Sequence, residues 1–289
     1  MLKQRIVGVL LVREGIVVQS LGFQRYLPVG KPAIAVEHLN RWGIDEIVML
    51  DISSPQARLR LDVLMERVAP YCLVPLAAGG GIRTVDQIRD VIKSGADRVV
   101  LNTAVLDDPK LITQGADRFG AQAIIASIDA KPGDDGRYEA FVDGGRRRAH
   151  LTPAEMAKRA EDHGAGEILI QAIHRDGAKS GYDLDLVAEI SKAVSVPIVV
   201  LGGVGSPFHF VEAARLPGVC GLAAGNYLHF TEHTATVAKA VLKKAGIAMR
   251  QDSYADYRDF SFSEDGRLLK RSDAELEDML FIHYVDEVI

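Results

Sequence analysis

Four clusters of small residues close apolar runs in this 289-residue chain, and they are the best placed to do chemistry. Gly79, Gly80 and Gly81 follow one run, and Asn102 and Thr103 the next. Gly202, Gly203 and Gly205 follow another, and Ala224, Gly225 and Asn226 close the last. Small side chains there let backbone N–H groups and helix N-termini approach a phosphate closely. Any one glycine pair is explained as well by a tight turn. Two matched cradles are a stronger signal, because they imply a ligand, ancestral or present, with a phosphate at each end. Asp129 ends a further run, in SIDAK, where a carboxylate can move a proton. Asp51 and Asp176 end two more and suit the orientation of loops or ligand hydroxyls; for Asp176, with Gly177 beside it, ligand contact is the favoured role. His209, His229 and His233 lack the acidic partners of a metal site, so neither a metal nor a cofactor is expected. His174 reads as a solvated loop histidine. Cys72 and Cys220 show no ligand spacing and read as core residues.

These residues need strands to carry them. Apolar runs at 5–11, 46–51, 72–78, 98–102, 123–129, 167–173, 197–202 and 220–224 are eight candidates for buried parallel strands. Helical patterns lie between them, as at 32–43, 84–95 and 152–164, the last opening with Thr152, Pro153 and Glu155 and closing at Gly164. An open doubly wound sheet would alternate in the same way. The chain also repeats itself at half-length: GIDEIVMLDIS from Gly43 echoes GAGEILIQAIH from Gly164, and PLAAGGGI from Pro75 echoes PIVVLGGVG from Pro197. Two four-strand halves close most naturally into one ring. The expected fold is therefore α/β, a (β/α)₈ TIM barrel over 1–246 with half-barrels at about 1–122 and 123–246. A C-terminal extension, 247–289, loses the periodicity and reads as a tail packed across the outside.

Bulk properties narrow the function. A net charge of −5 supplies no basic field, so nucleic acid is a poor partner, and the cluster Arg146, Arg147, Arg148 is too short to change that. The N-terminal apolar run is too short for a signal segment, and no stretch approaches the ~20 apolar residues that cross a bilayer. The cytoplasm is the default location, with no membrane association.

The words LDIS (50–53), GGGI (79–82), NTA (102–104), SIDAK (127–131), GAGEIL (164–169), RDGAKSGYD (175–183) and GGVG (202–205) resemble the cyclase subunit of imidazole glycerol phosphate synthase over about residues 1–246. The resemblance implies a barrel of the ribulose-phosphate-binding type that takes ammonia from a glutaminase subunit, in a heterodimer, and cyclises a bisphosphorylated substrate. It implies phosphate contacts at Gly81, Asn102 and Thr103 and, on the other side, at Asp176, Gly177, Gly202, Gly203, Ala224 and Gly225. It also implies an ammonia gate of Arg5, Glu46, Arg98 and Glu167, with Asp97 and Gln122 facing the glutaminase.

The family's chemistry rests on two aspartates. One is present as Asp129; the seat of the other holds Leu11. Losing one positioned acid–base group costs ~10²–10⁴ in rate. Gln19, Gln171, Ala172, His174, Ala178 and Leu201 depart from the family pattern near the same mouth. The leading expectation is a cyclase-like paralogue that keeps glutaminase docking and ammonia passage for amidination in nucleotide-sugar or surface-polysaccharide biosynthesis, with a sugar amidotransferase as a further partner. The alternatives are a working cyclase of histidine biosynthesis, for which Glu14 is the nearest acidic substitute, and a binding module that senses a bisphosphorylated metabolite.

Overall fold

A computed structural model describes residues 3–229, 233–250, 257, 260–263, 266–269, 271–272 and 274–275. The first half of the chain runs through β1 (Arg5–Arg13), β2 (Ile16–Leu21), β3 (Arg25–Gly30), α1 (Pro32–Arg41), β4 (Glu46–Asp51), α2 (Leu61–Val68), β5 (Leu76–Gly79), α3 (Val85–Lys93), β6 (Arg98–Leu101), α4 (Thr103–Asp107) and α5 (Lys110–Phe119). The second half runs through β7 (Ile124–Pro132), β8 (Tyr138–Val142), β9 (Arg147–Arg148), α6 (Pro153–Asp162), β10 (Glu167–Ala172), α7 (Leu184–Ser191), β11 (Ile198–Leu201), α8 (Pro207–Ala214), β12 (Val219–Ala224) and α9 (Thr234–Lys244).

Eight of these strands pair in parallel in the order β1, β4, β5, β6, β7, β10, β11, β12, and β12 returns to β1 with Arg5 opposite Gly221 and Gly8 opposite Ala224. The ring is closed, so it is the eight-stranded barrel with helices between its strands. Closure leaves the ring no free edge. The capping signal read at α6 holds, Thr152 and Glu155 forming a reciprocal capping box, and Thr84 with Gln87 forms another at α3.

Four strands stand outside the ring. After β1 the chain doubles back as the hairpin β2–β3, Leu11 lying opposite Val18; after β7 it does the same as β8 and β9, with Asp129 opposite Phe141. The first strand of each half thus carries an antiparallel flap. The run at 72–78 is shorter as a strand than its apolar residues suggest: Pro75 removes a ladder donor, pairing starts at Leu76, and Leu73 is left exposed. Cys72 is therefore half-buried in a loop, packed against the outer apolar cluster, and Cys220 is half-buried on β12, so neither is fully enclosed in the core.

Two apolar layers result. A large cluster lies between the ring and its helices, and a smaller one fills the barrel interior with Val7, Val9, Val48, Ala77, Val100, Ile125, Leu169, Val199 and Ala223. Of the extension, Met249 pairs beside Gln4, Gly266 meets Pro207 and Phe208 of α8, and Phe262 lies under the Lys244 ammonium. The expectation that the tail packs across the outside falls, for 276–289, outside the described residues. No helix among the described residues is long and apolar enough to cross a membrane.

One buried ion pair fastens α9 to the ring. The Lys239 ammonium lies 2.6 Å from the Asp45 carboxylate, whose other oxygen accepts the Ile6 N–H at 2.8 Å, and both side chains are almost fully buried. Removing one partner of such a pair leaves an uncompensated charge and costs about 3–5 kcal/mol. Lys239→Met is expected to lower the unfolding free energy by about that amount in urea titrations, and Asp45→Asn in the same background to recover part of it.

Candidate functional site

The carboxyl ends of the ring strands form a mouth. Along β1 the inward residues are Val7, Val9 and Leu11, and Leu11 packs with Val18, Leu201, Leu50, Ile52 and Tyr26. Three of these, Leu11, Val18 and Tyr26, are brought together by the hairpin. Across the mouth, Asp129 sits beside Gln171 in the β7–β10 register, and its Oδ1 accepts the Ser127 hydroxyl at 3.1 Å. Burial pushes the Asp129 carboxyl up to about 7; the Ser127 hydroxyl opposes this only in part, and the Asp176 charge adds to it. Asp129 is thus a buried titrating acid at a mouth where Leu11 and its neighbours present hydrocarbon.

Glu14 does not fill the vacant seat. It occupies the turn between β1 and β2 with φ +53°, its carboxylate mostly exposed beside Arg13 and its N–H bonded to the Ser53 hydroxyl.

The second cradle lies together as the resemblance implied. Asp176, Gly177, Gly202, Gly203, Ala224 and Gly225 line one cavity with Leu11, Val18, Gln171 and Lys179. Asp176, however, is already engaged. Its Oδ2 accepts the Ser20 hydroxyl at 2.6 Å and the Phe23 N–H at 3.2 Å, while its backbone carbonyl accepts the Gly22 N–H at 3.1 Å. Asn226 completes the clasp, accepting the Ser20 N–H at 3.1 Å and donating to the Ser20 carbonyl at 2.7 Å. Gly177 has to be glycine here, since a Cβ would run into Leu21 and the Ser20 carbonyl. Burial raises the Asp176 carboxyl, and these three donors pull it back.

The first cradle is built differently. The Asn102 amide donates to the Ser127 carbonyl at 3.0 Å, and the Thr103 hydroxyl donates to Asp143 at 3.3 Å. Asp143 and Asp107 are in turn bridged by Arg147, at 3.1 and 2.8 Å, and approached by Arg83, at 3.8 Å each. Above Gly81, which has φ +73°, stands the Arg58 guanidinium, where a Cβ would collide with Nη1. Asp51 orients its own loop by accepting the Ser53 N–H.

At the opposite end the four charges form a closed ring. Arg5 pairs with Glu46 at 2.6 Å and with Glu167; Arg98 pairs with Glu46 at 3.0 Å and with Glu167 at 2.5 Å. Burial disfavours the Arg5 charge, yet Glu46 and Glu167 outweigh it and hold the guanidinium protonated. Each carboxylate bridges both cations, and this alternation lets four charges sit at the barrel floor. The Cys220 thiol lies 3.6 Å from Glu167 and 3.7 Å from Arg5. Asp97 and Gln122 are exposed around the ring, Asp97 accepting the Leu76 N–H and the Gln122 carbonyl accepting Arg98 Nε.

Several features differ from or exceed the sequence-based expectations. His174 is exposed on its loop, as read from the sequence, but it also pairs with Asp183 at 2.9 Å; Tyr138 donates to the same carboxylate at 2.7 Å. Ser20, Val18 and Tyr26 belong to the mouth only because the hairpin folds over it, a tertiary fact with no local signal. No group of three or more potential metal ligands occurs among the described residues.

A model of the family described as "Histidine biosynthesis protein" matches residues 5–234. The chain is 36% identical over 269 residues to a Vibrio vulnificus protein named "Putative imidazole glycerol phosphate synthase subunit hisF2", covering 92% of this chain and 98% of that one. It is 39% identical over 252 residues to the imidazole glycerol phosphate synthase subunit HisF of Alkaliphilus metalliredigens, covering 87% of this chain and the whole of that one.

Asp129 gives the mouth a pH signature. Unfolded, its carboxyl titrates near pH 4; folded, near pH 7. The native state holds the extra proton between those values, so Asp129's contribution to stability is present below about pH 4 and lost as pH rises through about 7. Wild type minus Asp129→Asn, compared by urea unfolding at pH 5 and pH 8, is expected to favour the wild type at pH 5 by roughly 2–4 kcal/mol more than at pH 8.

Proposed function

Since the chain belongs to the histidine biosynthesis protein family, as a HisF-like cyclase subunit of the imidazole glycerol phosphate synthase type, we propose that it serves as the synthase-like half of a glutamine amidotransferase complex. In this reading a glutaminase docks at the barrel floor, ammonia passes through the interior, and it is delivered for amidination in nucleotide-sugar or surface-polysaccharide biosynthesis, with a sugar amidotransferase as acceptor.

Leu11 carries the reading. Cyclisation needs protons moved on two faces of a substrate, and a leucine in one of the two seats moves none. The hairpin reinforces the effect, because Val18, Tyr26 and Leu201 surround Leu11 with hydrocarbon and the Asp176–Asn226 clasp holds them over the mouth. The floor and interior support the other half of the reading. The four-charge ring is complete, and above it the lining is aliphatic. Neutral ammonia crosses such a lining readily, whereas ammonium would shed its hydration without compensation.

A working cyclase of histidine biosynthesis is the second reading, favoured by Asp129, whose carboxyl near 7 suits acid–base work at neutral pH. It requires a water to replace the missing carboxylate, since Glu14 points into solvent.

The deciding measurement is turnover of the bisphosphorylated imidazole precursor with free ammonia, alongside co-purification with a glutaminase. The expected outcome is a glutaminase complex whose cyclisation runs at least ~10²-fold below the ~1–10³ s⁻¹ usual for enzymes. Leu11→Asp alone is expected to stay below that range while Val18 and Leu201 fill the seat's surroundings. Wild-type turnover within the usual range would overturn the proposal.

A further inference from the structure

We infer that Arg58 and Lys179 are paired cationic anchors, one for each glycine cradle, and that they select a ligand with a dianionic phosphoryl group at both ends. The inference rests on the reading of the two cradles as phosphate sites, and it names side chains where that reading supplies only backbone.

The pairing follows from the duplication. Lys179 stands 121 residues beyond Arg58, the same interval that separates Gly43 from Gly164, and Gly203 stands 122 beyond Gly81. Arg58 lies between β4 and α2, Lys179 between β10 and α7, and β4 and β10 are equivalent strands of the two halves. Arg58 leans its guanidinium onto the cradle after the next ring strand, and Lys179 packs its backbone and Cβ against Gly205 of the corresponding cradle. Arg58 Nη2 donates to the Ser53 carbonyl at 2.8 Å, which fixes the guanidinium; Nη1 lies over Gly81, and Nε is buried with no hydrogen-bond acceptor among the described residues. Lys179 lines the second cavity together with Gly202, Gly203 and Gly225. Its φ of +58° is one that non-glycine residues seldom adopt, and such a conformation persists where the surroundings impose it.

Charge balance gives each cation a purpose. The second cavity is also lined by Asp176, so an anion entering there meets a carboxylate, and Lys179 offsets that repulsion. At the first cradle Arg83 and Arg147 are spent on Asp107 and Asp143, which leaves Arg58 as the guanidinium aimed at Gly81. A fork of N–H donors there and a point charge opposite both suit phosphoryl oxygens.

Inorganic phosphate is the probe. In the ¹⁵N-labelled full chain, the Gly81 and Gly203 amide resonances report the two cradles separately, and both are expected to shift as phosphate is added. Arg58→Gln should raise the half-saturating concentration at Gly81 about tenfold or more and leave Gly203 unchanged; Lys179→Gln should do the reverse, and Arg58→Lys should keep most of the wild-type response. Absence of any shift in the wild type, a change within about twofold at the substituted cradle, or equal weakening at both would overturn the inference. None of these results bears on glutaminase coupling, which is read out at the other end of the barrel.

Discussion

Charge placed inside a β-barrel must be compensated within the barrel, and that constraint arranges this molecule from floor to mouth. Nine aliphatic residues of the inner cluster line the interior between the two ends, and water cannot screen what lies beyond them. At the floor the answer is alternation, with Glu46 and Glu167 each shared by Arg5 and Arg98. A ring of this kind holds its members in register without carrying net charge into the core. At the mouth the answer is different. Among the described residues no cation pairs with Asp129, and burial lets it retain its proton to near neutrality instead.

The hairpin after β1 changes what the remaining polar residues can do. Asp176 and Asn226 stand where a ligand contact was expected, and both spend hydrogen bonds on the hairpin backbone and on Ser20. The first flap is therefore fastened by the second cradle, and the two halves of the repeat are coupled across the mouth. The second flap, β8 and β9, is fastened at the first cradle through Asp143 and Thr103. Each flap thus reaches a residue of one cradle.

The ring itself was legible in the sequence for a plain reason. Parallel strands buried on both faces read as unbroken aliphatic runs, and the repeat of Gly43 at Gly164 counted the halves. The floor ring was legible only by resemblance, since Arg5, Glu46, Arg98 and Glu167 have no spacing of their own. The hairpin escaped the reading because its β1–β2 turn is the pair Glu14–Gly15, both at positive φ but weaker as a signal than Asn-Gly or Asp-Gly, and the burial of VVQS and YLPVG is decided by the mouth they cover. The shortened third ring strand and the partner of His174 escaped for related reasons. Pro75 ended a ladder that composition alone would extend, and Asp183, nine residues beyond His174, returns from the start of α7 to meet its ring.

The seam between β12 and β1 sets how this chain must be made. Arg5 meets Gly221, and the Gln4 amide reaches the Val219 carbonyl at 2.8 Å, so the two strands that close the circle lie 215 residues apart, and β1 leaves the ribosome long before β12, the last of the ring. Until the last arrives, β1 offers an open aliphatic margin to any neighbour. Such long-range pairing makes acquisition of the native state slow, and the N-terminal half waits for its complement throughout synthesis.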